Sequence, residues 1–97
     1  MDFEWDEQKN KANIRKHGLD FADAWEIFTA PMLTAPDDRE DYGEDRWIGI
    51  GMIRVHVVVI VFTERDEDTI RVISLRKALS HERTGYEQTL RDQLGTG

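Results

Sequence analysis

Apolar and polar positions along the chain change their period twice. Between Asp6 and Gly18 the run "DEQKNKANIRKHG" is poor in apolar residues, yet it is punctuated as a helix. It has an acidic N-cap, acid in the first turn, bases in the last and glycine after the end. A second start follows at Asp20. Phe21, Ala24, Trp25 and Phe28 then recur at offsets of three and four, which predicts one apolar helical face running to about Phe28. In a short chain those aromatics are expected in the core. Further on the period becomes extended: "RWIGIGM" alternates, "VHVVVIVFT" (Val55 to Thr63) is almost continuously β-branched, and "TIRVISLR" alternates again. "ERDED" is expected as the polar turn between the last two.

Three strands joined by short turns form an antiparallel meander. The middle one is apolar on both faces, so it is expected at the centre, with helices over one face and the last helix or a partner over the other. Met32 to Pro36 carries a fainter signal for a further edge strand. From Ser80, read as an N-cap, Tyr86, Leu90 and Leu94 recur in steps of four. They predict a last helix to about Leu94, which Gly85 weakens by roughly 1 kcal/mol relative to alanine. The expected class is α+β: a small single domain over residues 1–97, with an antiparallel sheet of three to four strands, two N-terminal helices and a C-terminal helix.

Composition narrows the chemistry. With 97 residues the chain supports one core, and with no cysteine it can build neither a disulfide framework nor a thiolate zinc site. "MDFEWDEQK" has no basic or apolar leader pattern, and the longest apolar run, "VVVIVF", is far too short to span a membrane. A cytoplasmic protein with no membrane partner is expected. The net charge is −7, unevenly placed. Residues 1–45 hold five basic and 13 acidic residues, whereas residues 46–97 hold eight and seven. The densest acidic run, "DDREDYGED", is expected as a solvated loop, since its spacing does not resemble a calcium loop.

Against that background the stretch "RVISLRKALSHERTGYEQ" gathers Arg71, Arg76, Lys77, His81 and Arg83. In an extended strand Arg71, Ile73 and Leu75 share one face, and Val72, Ser74 and Arg76 the other. The groups expected to converge are Arg76 and Lys77 leaving the strand, Arg83 and Tyr86 one helical step apart, and Arg65 from the preceding turn. A guanidinium fork can hold a phosphate and stabilise a phosphorane-like transition state, while a nearby Lys, Tyr, His or Glu moves the 2′-hydroxyl proton. No cofactor or metal is required for that chemistry. The competing expectation is that these bases form salt bridges to the acidic front half. Of the other histidines, His17 is expected to serve the last carbonyls of the first helix, and His56 to be a hydrogen-bonded sheet residue.

The order of residues carries a further signal. "FEWDEQKNKANIRKHGLDFADAWEIF", "YGEDRWIGIG" and "VVVIVFTERDEDTIRVISLRKALSHERTGYE" together resemble the BrnT family, the toxins of BrnT–BrnA type II toxin–antitoxin pairs. The specific parts are Trp5-Asp6, Asn13, Lys16-His17-Gly18, Phe21, Phe28, Arg46, Glu64-Arg65, Ile73-Ser74, Arg76-Lys77-Ala78, Glu82-Arg83 and Tyr86-Glu87. The resemblance implies a RelE-like ribonuclease fold, translation arrest through cleavage of an RNA substrate, and a BrnA-like antitoxin through which alone the toxin meets DNA. It leaves a homodimer or a heterotetramer open. In this setting Arg76 and Arg65 are expected at the scissile phosphate, Lys77 and Arg83 at neighbouring charge, and Glu82, Tyr86 or His81 at the proton. The chain departs from the family pattern at Leu75, where a small residue is usual, and in its less basic helix start at Ser80-His81. Those departures favour an alternative in which the chain is a weak or inactive antitoxin-binding, regulatory module.

Overall fold

Five strands form one mixed sheet in the order β1-β5-β4-β3-β2 in a computed structural model that describes residues 1–94. They are β1 (Asp2–Glu4), β2 (Leu33–Pro36), β3 (Trp47–Ile53), β4 (His56–Asp66) and β5 (Thr69–Lys77). The expected meander is β3-β4-β5, paired antiparallel, and β2 is the fainter edge strand, antiparallel to β3. The sheet is nevertheless not purely antiparallel. β1 pairs parallel with β5, Phe3 opposite Ile70 and Glu4 opposite Arg71, and Arg71 Nη1 donates to Glu4 Oε2 at 2.7 Å. The segment "ERDED" is only partly a turn, because β4 runs on to Asp66 and leaves Glu67 and Asp68 to reverse the chain.

Helix α1 (Glu7–His17) is bounded as its punctuation dictates. The Asp6 carboxylate accepts from the amides of Gln8 and Lys9, and Gly18 closes the helix at φ 71°, donating its amide to Ile14 O. The second helical segment, Phe21–Thr29, is a 3-10 helix capped by Asp20. Three residues per turn place Phe21, Ala24 and Ile27 on the buried face and turn Trp25 outward, 51% exposed, in place of the core position expected for it. Gly51 makes this packing possible, since a Cβ there would stand 2.7 Å from Ile27 Cγ2.

The core lies on the face covered by the 3-10 helix, where Phe21, Ala24 and Ile27 meet Val58, Ile60, Phe62, Val72 and Leu75, whereas α1, expected over the same face, gives no residue to this core and is tied to the edge of β5 through Asn13. On the opposite face Val57, Val59 and Val61 stand beside Met52, Ile50 and Ile48 of β3, which stay half-buried. The last helix, α2 (Ser80–Leu94), is tied down by Tyr86, its one buried residue, whose hydroxyl donates to Pro31 O at 2.9 Å. Leu90 is half-buried and Leu94 is 81% exposed, so α2 packs through only part of its apolar stripe. Ser80 is not the cap. Arg83 N bonds Leu79 O, which makes Leu79 the capping position, and Glu82 Oε1 reaches back to Leu79 N at 2.8 Å as half of a capping box.

Candidate active site

The chain leaves β5 at Lys77 and enters α2 at Ser80, so the side chains of Arg76 and Glu82 face each other across a two-residue link. Their pairing is end-on: Arg76 Nη1 donates to Glu82 Oε1 at 2.7 Å and Nη2 to Oε2 at 2.9 Å. Nη1 also approaches Lys77 O at 3.3 Å. A guanidinium has five N–H donors. Two are spent on Glu82 and one on Lys77, which leaves Nε–H and the outer N–H of Nη2 without a partner among the described residues. Those two point the same way and form a second fork of the kind that matches a phosphate. The Arg76 side chain is 37% exposed, so this fork can be reached from solvent.

The pair sets the protonation of its neighbours. The Arg76 guanidinium, helped by the Leu79 amide, holds the Glu82 carboxyl down to about 2, and Glu82 in turn raises Arg76 further above its ordinary value. Glu82 is therefore a weak base that caps α2 and orients Arg76. Burial pushes the Tyr86 phenol up, and its hydroxyl is committed to Pro31 O. Of the three groups expected to handle a proton, His81 is the one standing exposed in the first turn of α2, beside Glu82. Lys77 and Arg83 are exposed and form no ion pair among the described residues.

Arg65 is not brought to this cluster. Arg76 lies opposite Val59, and Arg65 is six steps further along extended β4, about 20 Å at the usual strand rise. Arg65 lines a cleft at the far end of the sheet with Glu44, Asp45 and Glu64. Arg71 gives one hydrogen bond, from Nη1, to Glu4 across the β1–β5 pair. Leu75, the family departure expected to touch the site, is fully buried opposite Ile60 on the core face, turned away from Arg76. His56 is exposed at the start of β4 rather than half-buried. The bases do not uniformly pair with the acidic front half either, since the partner of Arg76 comes from α2.

Two asparagines of α1 supply what the sequence did not announce. Asn13 Oδ1 accepts from Leu75 N at 3.2 Å, and its Nδ2 donates to Leu75 O at 2.8 Å and Leu19 O at 3.0 Å. One side-chain amide thus stands in for a neighbouring strand where β1 ends, and fixes β5 one residue before Arg76. Asn10 joins α1 to the next segment, donating to Asp20 Oδ1 and accepting from Phe21 N, both at 2.9 Å. Their signals in the sequence were polar residues at helical spacing, three apart, in a helix without an apolar face, and for Asn13 its place among the residues of the BrnT resemblance.

Comparison with known proteins agrees with this architecture. The family described as "Ribonuclease toxin, BrnT, of type II toxin-antitoxin system" matches residues 5–82. Among solved structures, the Brucella abortus ribonuclease toxin BrnT matches with 33% sequence identity and a TM-score of 0.65, over 82% of this chain and 99% of that one. No curated protein sequence matches.

Proposed function

The chain belongs to the BrnT family of ribonuclease toxins of type II toxin–antitoxin systems, and from that premise we propose a metal-independent endoribonuclease toxin that cleaves RNA, arrests translation and is neutralised by a BrnA-like antitoxin. The observation that carries the proposal is the unspent N–H fork of Arg76 at the β5–α2 junction, a junction whose sequence also supplies the exposed Lys77, His81 and Arg83. In this mechanism Arg76 donates to two non-bridging oxygens of the scissile phosphate. His81 takes the proton of the adjacent 2′-hydroxyl, and the 2′-oxygen attacks phosphorus. The bond to the 5′-oxygen breaks, that oxygen takes a proton from water, and the products are a 2′,3′-cyclic phosphate and a 5′-hydroxyl. Lys77 and Arg83 neutralise the flanking phosphates, while Glu82 holds the guanidinium plane in place. Arg65 takes no part at that phosphate.

The proposal includes one RelE-like domain over residues 1–97, action in the cytoplasm, and contact with DNA only through the antitoxin. The half-buried Ile48, Ile50 and Met52 on the second sheet face support an antitoxin seat there. The inactive, regulatory alternative is favoured by one observation, that Arg76 and Tyr86 are already engaged within the chain. Incubation of the purified protein with RNA in the presence of EDTA separates the two. Fragments ending in 2′,3′-cyclic phosphate are expected; intact RNA from a sample that still arrests growth when expressed would overturn cleavage as the toxic act.

A further inference from the structure

Helix α1 carries Lys9, Lys11, Arg15 and Lys16 against a single acid, Glu7. None of the four forms an ion pair among the described residues, whereas Arg39, Arg46, Arg54, Arg71 and Arg76 each do. The α1 bases therefore face solvent uncompensated, in a protein whose net charge is −7. A terminal-turn role explains Arg15, Lys16 and His17, which complement the negative end of the helix, but it does not explain Lys9 in the first turn.

Lys9 and Lys16 are seven residues apart and so share a face of α1. With Ala12, His17, Ile73 and Ser74 they line an open groove of about 260 Å³ between α1 and the edge of β5, and no carboxylate lines it. Ser74, opposite Val61, and Arg76, opposite Val59, lie on the same side of β5, about 7 Å apart by strand rise. The groove therefore runs to the Arg76 fork along one strand. We infer that the α1–β5 groove is a binding track for single-stranded RNA, in which Lys9 and Lys16 hold phosphates next to the one at Arg76 and the His17 ring offers a stacking surface to a base. This inference rests on the proposed nuclease activity and adds where the substrate lies. An extended acidic peptide fits less well, because Asn13 occupies the amide and carbonyl of Leu75 and closes the strand edge to a pairing partner. The small side chains of Ala12 and Ser74 beside a half-buried imidazole suit a nucleotide better.

The test is fluorescence anisotropy of a short single-stranded 2′-O-methyl RNA on the full-length protein across a salt series. Lys9→Ala/Lys16→Ala is expected to lose about tenfold in affinity and to lower the salt slope by about 1.4, two phosphate contacts at about 0.7 each. Lys11→Ala/Arg15→Ala, on the same helix but outside the groove, is expected to keep the wild-type slope. Both pairs are exposed, and thermal melting confirms folding; if a double alanine variant fails to fold, Lys16→Gln alone is expected to lower the slope by about 0.7. An unchanged slope in the groove variants overturns the inference. So does a loss confined to poly-glutamate binding with RNA binding untouched, which would assign the groove to an acidic protein segment. The probe has no free 2′-hydroxyl, so binding is read apart from cleavage. Wild-type protein that binds it with the predicted salt dependence yet leaves unmodified RNA whole upholds the track and overturns the nuclease reading.

Discussion

Two arginines in this protein hold a carboxylate with two hydrogen bonds, and they do so with different edges of the guanidinium. In the acidic loop Arg39 uses Nε and Nη2 on the two oxygens of Asp37, at 2.7 and 2.9 Å. At the β5–α2 junction Arg76 uses Nη1 and Nη2 on Glu82. Arg39 has spent its Nε fork, while Arg76 keeps it. Their neighbours in sequence differ too: Arg39 sits in a run of six acids and Arg76 among Lys77, His81 and Arg83, while in space Arg39 is close enough for its charge to oppose that of Arg76. An anion approaching Arg39 meets repulsion and a filled edge; one approaching Arg76 meets cations and open donors. A bidentate ion pair is therefore no mark of a site by itself. What distinguishes the two is the edge left free and the charge around it.

The largest expected difference lies in catalysis. Arg76→Ala should lower the rate of RNA cleavage, and with it growth inhibition, by about 10²- to 10³-fold, the usual cost of losing one donor to a developing oxyanion. If thermal melting shows that this variant is unfolded, Arg76 belongs to the scaffold and the contrast with Arg39 collapses. Next comes a control that touches neither fork. Asn13→Ala strips the partners from Leu75 N–H and C=O and should cost about 2–3 kcal/mol in denaturant unfolding. Because Asn13 also fixes β5 beside Arg76 and lines the α1–β5 groove, cleavage per folded molecule should fall as well, though by less than in Arg76→Ala.

Glu82→Gln sharpens the contrast through pH. The folded Glu82 carboxyl is held at about 2 against an ordinary value of 4.5. Its pairing therefore adds stability fully present above about pH 4.5 and lost as the pH falls through about 2. Wild type should exceed Glu82→Gln by about 1 kcal/mol at neutral pH, allowing for solvent screening at this half-buried pair, and the gap should close in acid. Because Glu82 orients rather than takes the proton, the variant should still cleave RNA; complete loss of cleavage with Arg76 in place would make it the base. The smallest effect on cleavage is expected from Arg39→Ala. It should leave cleavage almost unchanged, while the melting temperature falls because the buried Asp37 carboxylate loses its charged partner.

Local signals made much of this architecture legible. Asp6 and Gly18 bounded α1 because caps are encoded next to the helix they close, and the β-branched run of β4 could only be a central strand. Long-range partners were not legible. β1 is three residues long and owes its existence to β5, some 67 positions away. The alternation of Phe3 and Trp5 with acids was its only trace, and it was too short to read. Trp25 was misplaced because an α-helical period was applied to a segment that winds with three residues per turn. At the candidate site the strand-to-helix passage keeps neighbours in sequence close in space, yet Glu82 was expected at the proton and instead pairs with Arg76. Arg65 was expected at the same phosphate and stands at the far end of the sheet, because an extended strand carries nearby residues apart by about 3.3 Å for each step.

The single-turnover rate of RNA cleavage by Arg76→Lys, with folding confirmed by thermal melting, tests most directly whether the open fork rather than the positive charge holds the scissile phosphate. Lysine keeps the charge but has no planar pair of donors. A fall of at least about tenfold is predicted, since a fork at the transition state should be worth no less than one charge-assisted hydrogen bond. A rate equal to that of wild type would contradict it, and would reduce the difference between Arg76 and Arg39 to the charge of their neighbours.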